Sequence, residues 1–171
     1  MARMKLSRFL GSLVMVLFVS LACGGSSGGT GAAGAAPSSS PSETAMMHHA
    51  SLDVATSRFG QVLVDGQGRV LYLFAADTAG ASTCYDACAT AWPPLLTDKG
   101  AKVDAMHSAT ASLTGSTTRK DGSVQVTYNG HPLYYFDGDK QPGQITCQAV
   151  VNFGAAWYVV DPKGNAITTK G

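Results

Sequence analysis

The sequence predicts a mainly β domain: a compact antiparallel β fold built from two similar repeats with pseudo-twofold character, plus one short helix. Three observations predict it. Residues 62–77 align on residues 124–139 without a gap, at a fixed offset of 62. Seven of the 16 positions are identical: Val62/Val124, Val64/Val126, Gly68/Gly130, Leu71/Leu133, Tyr72/Tyr134, Phe74/Phe136 and Asp77/Asp139. A gapless match at constant spacing marks an internal repeat. Short apolar runs recur between turns rich in Gly, Asn and Asp, the pattern of β-hairpins. One stretch has helical character, Tyr85–Ala91, and Trp92-Pro93-Pro94 stops it, because proline lacks an N–H donor and restricts the residue before it.

Taken in order, the first strand is expected over Asp53–Thr56. Val62 and Val64 alternate with Leu63 and Asp65, and Asp65-Gly66-Gln67-Gly68 turns the chain into a returning strand over Val70–Phe74. After the helix, Ser112–Arg119 reads as a strand that ends at Lys120-Asp121-Gly122. Val124, Val126 and Tyr128 alternate with polar residues, and Asn129-Gly130 is the strongest turn signal in the chain, since both positions must take positive φ. Leu133–Phe136 returns, Ala156–Val160 follows, and Ala166–Thr168 comes after Pro162-Lys163-Gly164.

The domain organisation is a leader, a tether and a folded unit. Residues 1–22 have a basic start (Arg3, Lys5, Arg8) and an apolar run from Phe9 to Leu21, too short to span a bilayer and of signal-peptide length. The run ends in Val19-Ser20-Leu21-Ala22-Cys23, which resembles the lipobox of bacterial lipoproteins, although Ser20 stands where that pattern prefers Leu. The resemblance implies lipidation at Cys23 and export to the cell envelope, at the outer membrane or cell surface in a Gram-negative source. Residues 23–50 read as the lipidated cysteine and a disordered tether. From Gly24 to Ala45, 21 of 22 residues are Gly, Ser, Ala, Thr or Pro, too little apolar surface to offset ordering entropy. Residues 51–171 form the β domain, with repeats at about 60–100 and 122–165. Without the leader, 9 basic residues face 11 acidic ones. No basic footprint for nucleic acid remains.

The repeated motif is Tyr72-x-Phe74-x-x-Asp77 and Tyr134-x-Phe136-x-x-Asp139. Residues two apart share one strand face, so each Tyr and Phe brings aromatic area to a core and leaves a phenol that needs a partner. The Asp lies past the strand end, where its carboxylate can accept backbone N–H bonds and hold the loop. The other reading makes Asp77 and Asp139 ligands of a metal or small molecule. With this motif twice, the leader, and Cys84-x-x-x-Cys88-Ala89-x-x-Trp92-Pro93-Pro94, the chain resembles bacterial lipoproteins that carry a tandem secreted repeat of unknown function. The resemblance spans residues 52 to about 165. It implies a secreted or membrane-anchored module with no defined activity, and it transfers no catalytic residue. Cys147 departs from the family pattern, standing where polar and glycine residues are usual.

With Cys23 assigned to lipid, Cys84, Cys88 and Cys147 are the disulfide candidates, and export favours one bond and one odd thiol. Residues four apart on a regular helix hold their Cβ atoms too far apart for a disulfide, so a Cys84–Cys88 bond needs Cys84 outside the helix. The rival joins Cys147 to Cys84 or Cys88. The family resemblance favours Cys84–Cys88, since members without a Cys147 counterpart have only that pair. No catalytic residue is predicted. Beyond the tether there is no Gly-x-Ser-x-Gly, His131 faces Arg69 in its own duplicate, and Glu43 is the only glutamate. No cofactor is predicted, with copper as the alternative. Met46, Met47, His48 and His49 are soft and imidazole ligands suited to it, and the cysteines with Met106 or His107 are a second copper(I) set. Three functions follow: a non-enzymatic envelope module that binds a protein partner at the membrane, a copper-handling or redox-accessory lipoprotein, or an enzyme with a site between the repeats.

Overall fold

The computed structural model describes residues 49–78 and 80–170. Cys23, Met46, Met47 and His48 lie outside the described residues. Among the described residues the strands are β1 (Ser51–Ser57), β2 (Gly60–Asp65), β3 (Tyr72–Phe74), β4 (Leu96–Thr97), β5 (Asp104–Ala105), β6 (Thr114–Thr118), β7 (Val124–Tyr128), β8 (His131–Pro132), β9 (Val150–Asn152) and β10 (Ala155–Val159), with one α-helix, α1 (Ala87–Ala91). They form three small sheets, ordered β2-β1-β5, β3-β10-β9 and β4-β7-β6, with β8 also on β7. The pairs are antiparallel except β1 with β5.

Alternation along the strands serves two cores at once. Val62, Val64, Val70, Tyr72 and Phe74 join one cluster with Trp92, Tyr134, Trp157 and Val159. Their neighbours Leu63, Leu71 and Leu73 join the second, with Leu52, Leu95, Val126, Tyr128 and Leu133. Both faces of β2 and of residues 70–74 are thus buried, and for this reason Val70-Leu71-Tyr72-Leu73-Phe74 is apolar throughout.

The repeats exchange strands. β3 pairs with β10 from the second repeat, Phe74 opposite Trp157. Residues 134–137 of the second repeat pair with the chain leaving α1: Tyr135 N–H bonds Pro93 O (2.8 Å) and Asp137 N–H bonds Ala91 O (2.9 Å). At the centre, Tyr72 and Tyr134 exchange N–H···O bonds of 2.8 and 2.9 Å with each other, the arrangement expected where a pseudo-twofold axis crosses an antiparallel pair.

The two hairpins differ although the sequences align without a gap. In the first, Asp65 and Arg69 flank a three-residue loop, and Gly68 has φ +79°. In the second, Asn129 (φ +49°) and Gly130 (φ +77°) make a two-residue turn between Tyr128 and His131. The registers consequently slip by one: Leu71 N–H bonds Leu63 O, whereas Leu133 N–H bonds Val126 O. Other elements are shorter than the sequence suggested. The helix starts at Ala87, because Asp86 takes φ +52° after the Cys84 loop. Ser112 and Leu113 belong to a 3-10 turn, Ala111–Leu113, ahead of β6. Leu133–Phe136 carries ladder bonds with no regular strand beyond β8, and residues 166–168 contribute one bridge, Val160 to Ala166.

Candidate functional site

The repeated motif builds one reciprocal arrangement at the seam between the repeats. The Tyr72 hydroxyl donates to Asp139 Oδ2 at 2.6 Å, and the Tyr134 hydroxyl donates to Asp77 Oδ2 at 2.6 Å. Each tyrosine is therefore satisfied by the aspartate of the other repeat. Each aspartate sits in the same turn, its N–H on the carbonyl of Phe74 or Phe136 at 3.0 Å. The second carboxylate oxygen holds the following loop. Asp77 Oδ1 accepts from Thr83 N (2.7 Å) and Oγ1 (2.7 Å), and Asp139 Oδ1 accepts from Thr146 N (3.1 Å) and Oγ1 (2.6 Å). Both oxygens of each carboxylate thus accept from the protein's own donors. Sequence reasoning overlooked Thr83 and Thr146. The signal was present, since Thr-Cys recurs as Thr83-Cys84 and Thr146-Cys147.

Burial and, after it, the carboxylate each donates to push the Tyr72 and Tyr134 phenols far above their ordinary range. Between them lie the chain's two tryptophans. Trp92 and Trp157 stack with centroids 3.9 Å apart and planes 5° apart. Tyr72 meets Trp92 edge-on at 5.3 Å, Tyr134 meets Trp157 at 5.2 Å, Phe74 stacks on Trp157 at 4.2 Å and Phe136 tilts on Trp92 at 4.7 Å. The seam is filled by rings, and neither the two tryptophans nor the two motif tyrosines are exposed.

The surroundings of the two tyrosines differ. Ser82 Oγ lies 2.8 Å from the Tyr134 hydroxyl and accepts from Arg119 Nη1 at 2.7 Å. Buried Arg119 also donates to Gln125 Oε1 and the Cys84 carbonyl, each at 2.7 Å. Its Nε is 3.6 Å from Asp121 Oδ2. Beside Tyr72 stands Cys147, half-buried and free, its thiol pushed up by burial and then by the charge of Asp139. Cys84 and Cys88 are joined as a disulfide with Cα atoms 5.2 Å apart. Cys84 precedes the helix, as the bond requires, and the rival link through Cys147 is not formed.

The copper(I) set of the cysteines with Met106 or His107 is not assembled, because two of its three thiols are bonded to each other. His107 Nδ1 pairs with Asp53 Oδ2 at 2.8 Å. Among the described residues no group of three or more His, Cys, Asp or Glu is placed to hold a metal ion. Exposed His49 borders an open depression of about 510 Å³ with Asp98, Lys99, Lys102 and Asp104. Another of about 420 Å³ lies along Leu96–Lys99 and Gly122–Val124.

Comparison with known proteins agrees with the tandem architecture. No curated protein and no solved structure matches the chain. A family model described as secreted repeat of unknown function matches residues 53–96 and 115–161. Those two segments contain both Tyr-x-Phe-x-x-Asp motifs and both stacked tryptophans, and together they cover more than half of the sequence. The chain belongs to this family of secreted repeats.

Proposed function

We propose that this protein is an envelope lipoprotein, anchored through lipid on Cys23, whose β domain is a non-enzymatic module that binds a protein partner near the membrane. One observation carries the non-enzymatic part. The residues that define the repeat are spent on each other, Tyr72 on Asp139 and Tyr134 on Asp77, inside a ring-filled seam. A motif so used builds a scaffold. The anchoring part is supported by the leader, Cys23 and the Gly/Ser/Ala-rich stretch after it. No helix among the described residues is long and apolar enough to cross a membrane.

Replacing Cys23 with Ser should move the protein from the membrane to the soluble fraction. Unchanged fractionation would remove the anchor from the proposal. Crosslinking in intact cells should then capture the same partner with wild type and lose it when the protein is released.

A copper-handling reading has one specific support, His49 beside Asp98 and Asp104 at the head of the domain, directly after Met46-Met47-His48. Copper titration of the chain with and without residues 46–49 tests it. Equal binding by both would discard it.

A further inference from the structure

Four large apolar side chains stand exposed among the described residues: Leu96, Met106, Val151 and Phe153. Two of them flank the point where the chain enters the domain. His49 and Leu96 line a hollow of about 220 Å³. Leu96, Asp98 and Lys99 border the depression of about 420 Å³, and His49, Asp98 and Lys99 border the one of about 510 Å³. Through these shared residues the three make one continuous face around His49. Met106 adjoins the same face. It follows β5, which runs parallel beside the first residues of β1, and Asp104 N–H bonds Ala50 O at 3.0 Å while Met106 N–H bonds Leu52 O at 2.8 Å. Met106 Sδ lies 4.0 Å from where a β-carbon on Gly66 would stand, with Ser51 Oγ closer still to that point.

Strand alternation works against burial here. Leu96 is exposed, whereas its neighbours Leu95 and Thr97 are buried, so a leucine faces outward and a threonine inward. The charges around the face are balanced. Lys99, Lys102, Asp98 and Asp104 border the largest depression, two of each sign. Exposed apolar side chains set among charges mark an interaction surface. Equal numbers of both signs match a surface whose own groups pair a phosphate with an ammonium. Lysine stems lie along apolar material while their ammonium groups reach phosphate, and the two carboxylates meet the ammonium.

The place where the described chain begins says which surface meets this face. Cys23 and His49 are separated by 25 residues, at most about 90 Å when fully extended. The inference rests on the lipid anchor proposed above. With that anchor the bilayer is always within reach, and its encounter with the domain is intramolecular, at high effective concentration. Orientations that turn His49 toward the bilayer stretch the connection least. We propose that the face around His49, Leu96, Lys99, Lys102 and Met106 rests on the bilayer. Leu96 and Met106 enter the headgroup layer, and the two lysines and two aspartates pair with zwitterionic phospholipid headgroups. Val151 and Phe153, at the β9–β10 hairpin, stay in solvent.

Hydroxyl-radical footprinting tests this on the full lipidated chain, reconstituted in vesicles of phosphatidylethanolamine and phosphatidylcholine in equal parts. The reference is Cys23→Ser with the same vesicles, at a lipid concentration where it stays in the supernatant. Labelling of Leu96 and Met106 should fall in the anchored chain, and labelling of Val151 and Phe153 should be the same in both. Lys99→Glu/Lys102→Glu in the anchored chain should return Met106 labelling to the reference level, with near-UV circular dichroism still reporting the stacked tryptophans. Anchored protein with reference labelling at Leu96 and Met106 would overturn the resting face and leave the anchor standing. Wild type found in the soluble fraction would remove the anchor and the face together. A fall at Val151 and Phe153 instead would give the bilayer to the hairpin. A fall at Leu96 and Met106 in native membranes but not in these vesicles would assign the face to a protein partner and overturn the proposal.

Discussion

Tyr72 and Tyr134 show how one side chain can define a fold without touching a ligand. Each is fully buried, and each phenol donates to the carboxylate of the other repeat, which offsets the cost of burying a hydroxyl. A hydrogen bond to a charged group contributes about 1.5–3 kcal/mol. Tyr72→Phe should therefore lower stability by about that amount at neutral pH, measured by urea unfolding. The pH dependence has a definite sign. The folded-state phenols of Tyr72, Tyr134 and Tyr135 are all held above the ordinary value of 10.0, by burial first and for Tyr135 by the Asp65 charge next. Above that value the unfolded chain has lost protons that the native state still holds. Stability should stay level up to about pH 10 and fall as pH rises further. The decline should be shallower in Tyr72→Phe, and a variant with the same alkaline slope as wild type would refute the assignment.

At the scale of the element, α1 is the one most dependent on its surroundings. It has five residues and no side-chain cap at Asp86, far below the length at which a helix holds itself together. It is fixed at one end by the Cys84–Cys88 disulfide and the Arg119 bond to the Cys84 carbonyl, and at the other by Trp92 in the ring stack. The disulfide closes a short loop, for which constraint of the unfolded chain amounts to about 2 kcal/mol. The double change Cys84→Ser/Cys88→Ser should cost about that much, with hydrogen exchange accelerated first over Ala87–Ala91. The β strands need less help locally. β2 and β3 are set by alternation, and their register is set by the loop between them.

At the scale of the whole molecule, the duplication is interlocked and the repeats are not two beads on a string. β10 completes the first repeat and the chain after α1 completes the second. The indoles, phenols and carboxylates at the seam come alternately from the two halves. A chain cut between Gly100 and Ala101 should give two pieces, neither of which folds alone, since each would expose its half of the ring stack and leave its tyrosine unpartnered. Mixed in equal amounts, the pieces should recover the near-UV signal of the stacked tryptophans. Cooperative melting by either piece alone would contradict the interlocked arrangement.

The sequence by itself determined the mainly β class, the duplication, the turns at Asn129-Gly130 and Asp65–Gly68, and the pairing of aromatic and acidic positions in each motif. Those are local or periodic properties, readable because side-chain direction repeats every two residues in a strand and few residues tolerate positive φ. Several features were decided by tertiary structure alone. That Tyr72 answers Asp139, not Asp77, depends on strand exchange, which no spacing within one repeat encodes. The one-residue slip between the hairpins was hidden by a gapless alignment, because loops of two and three residues close with equal ease around the same glycine position. Thr83, Thr146 and Arg119 acquired their roles from atoms 6 to 37 residues away. The Cys84–Cys88 bond, in contrast, is the pairing that the family resemblance favoured, and it forms with Cys84 ahead of the helix. Local preference is written in the order of residues, whereas a partner across the seam exists only after both halves have folded onto one another.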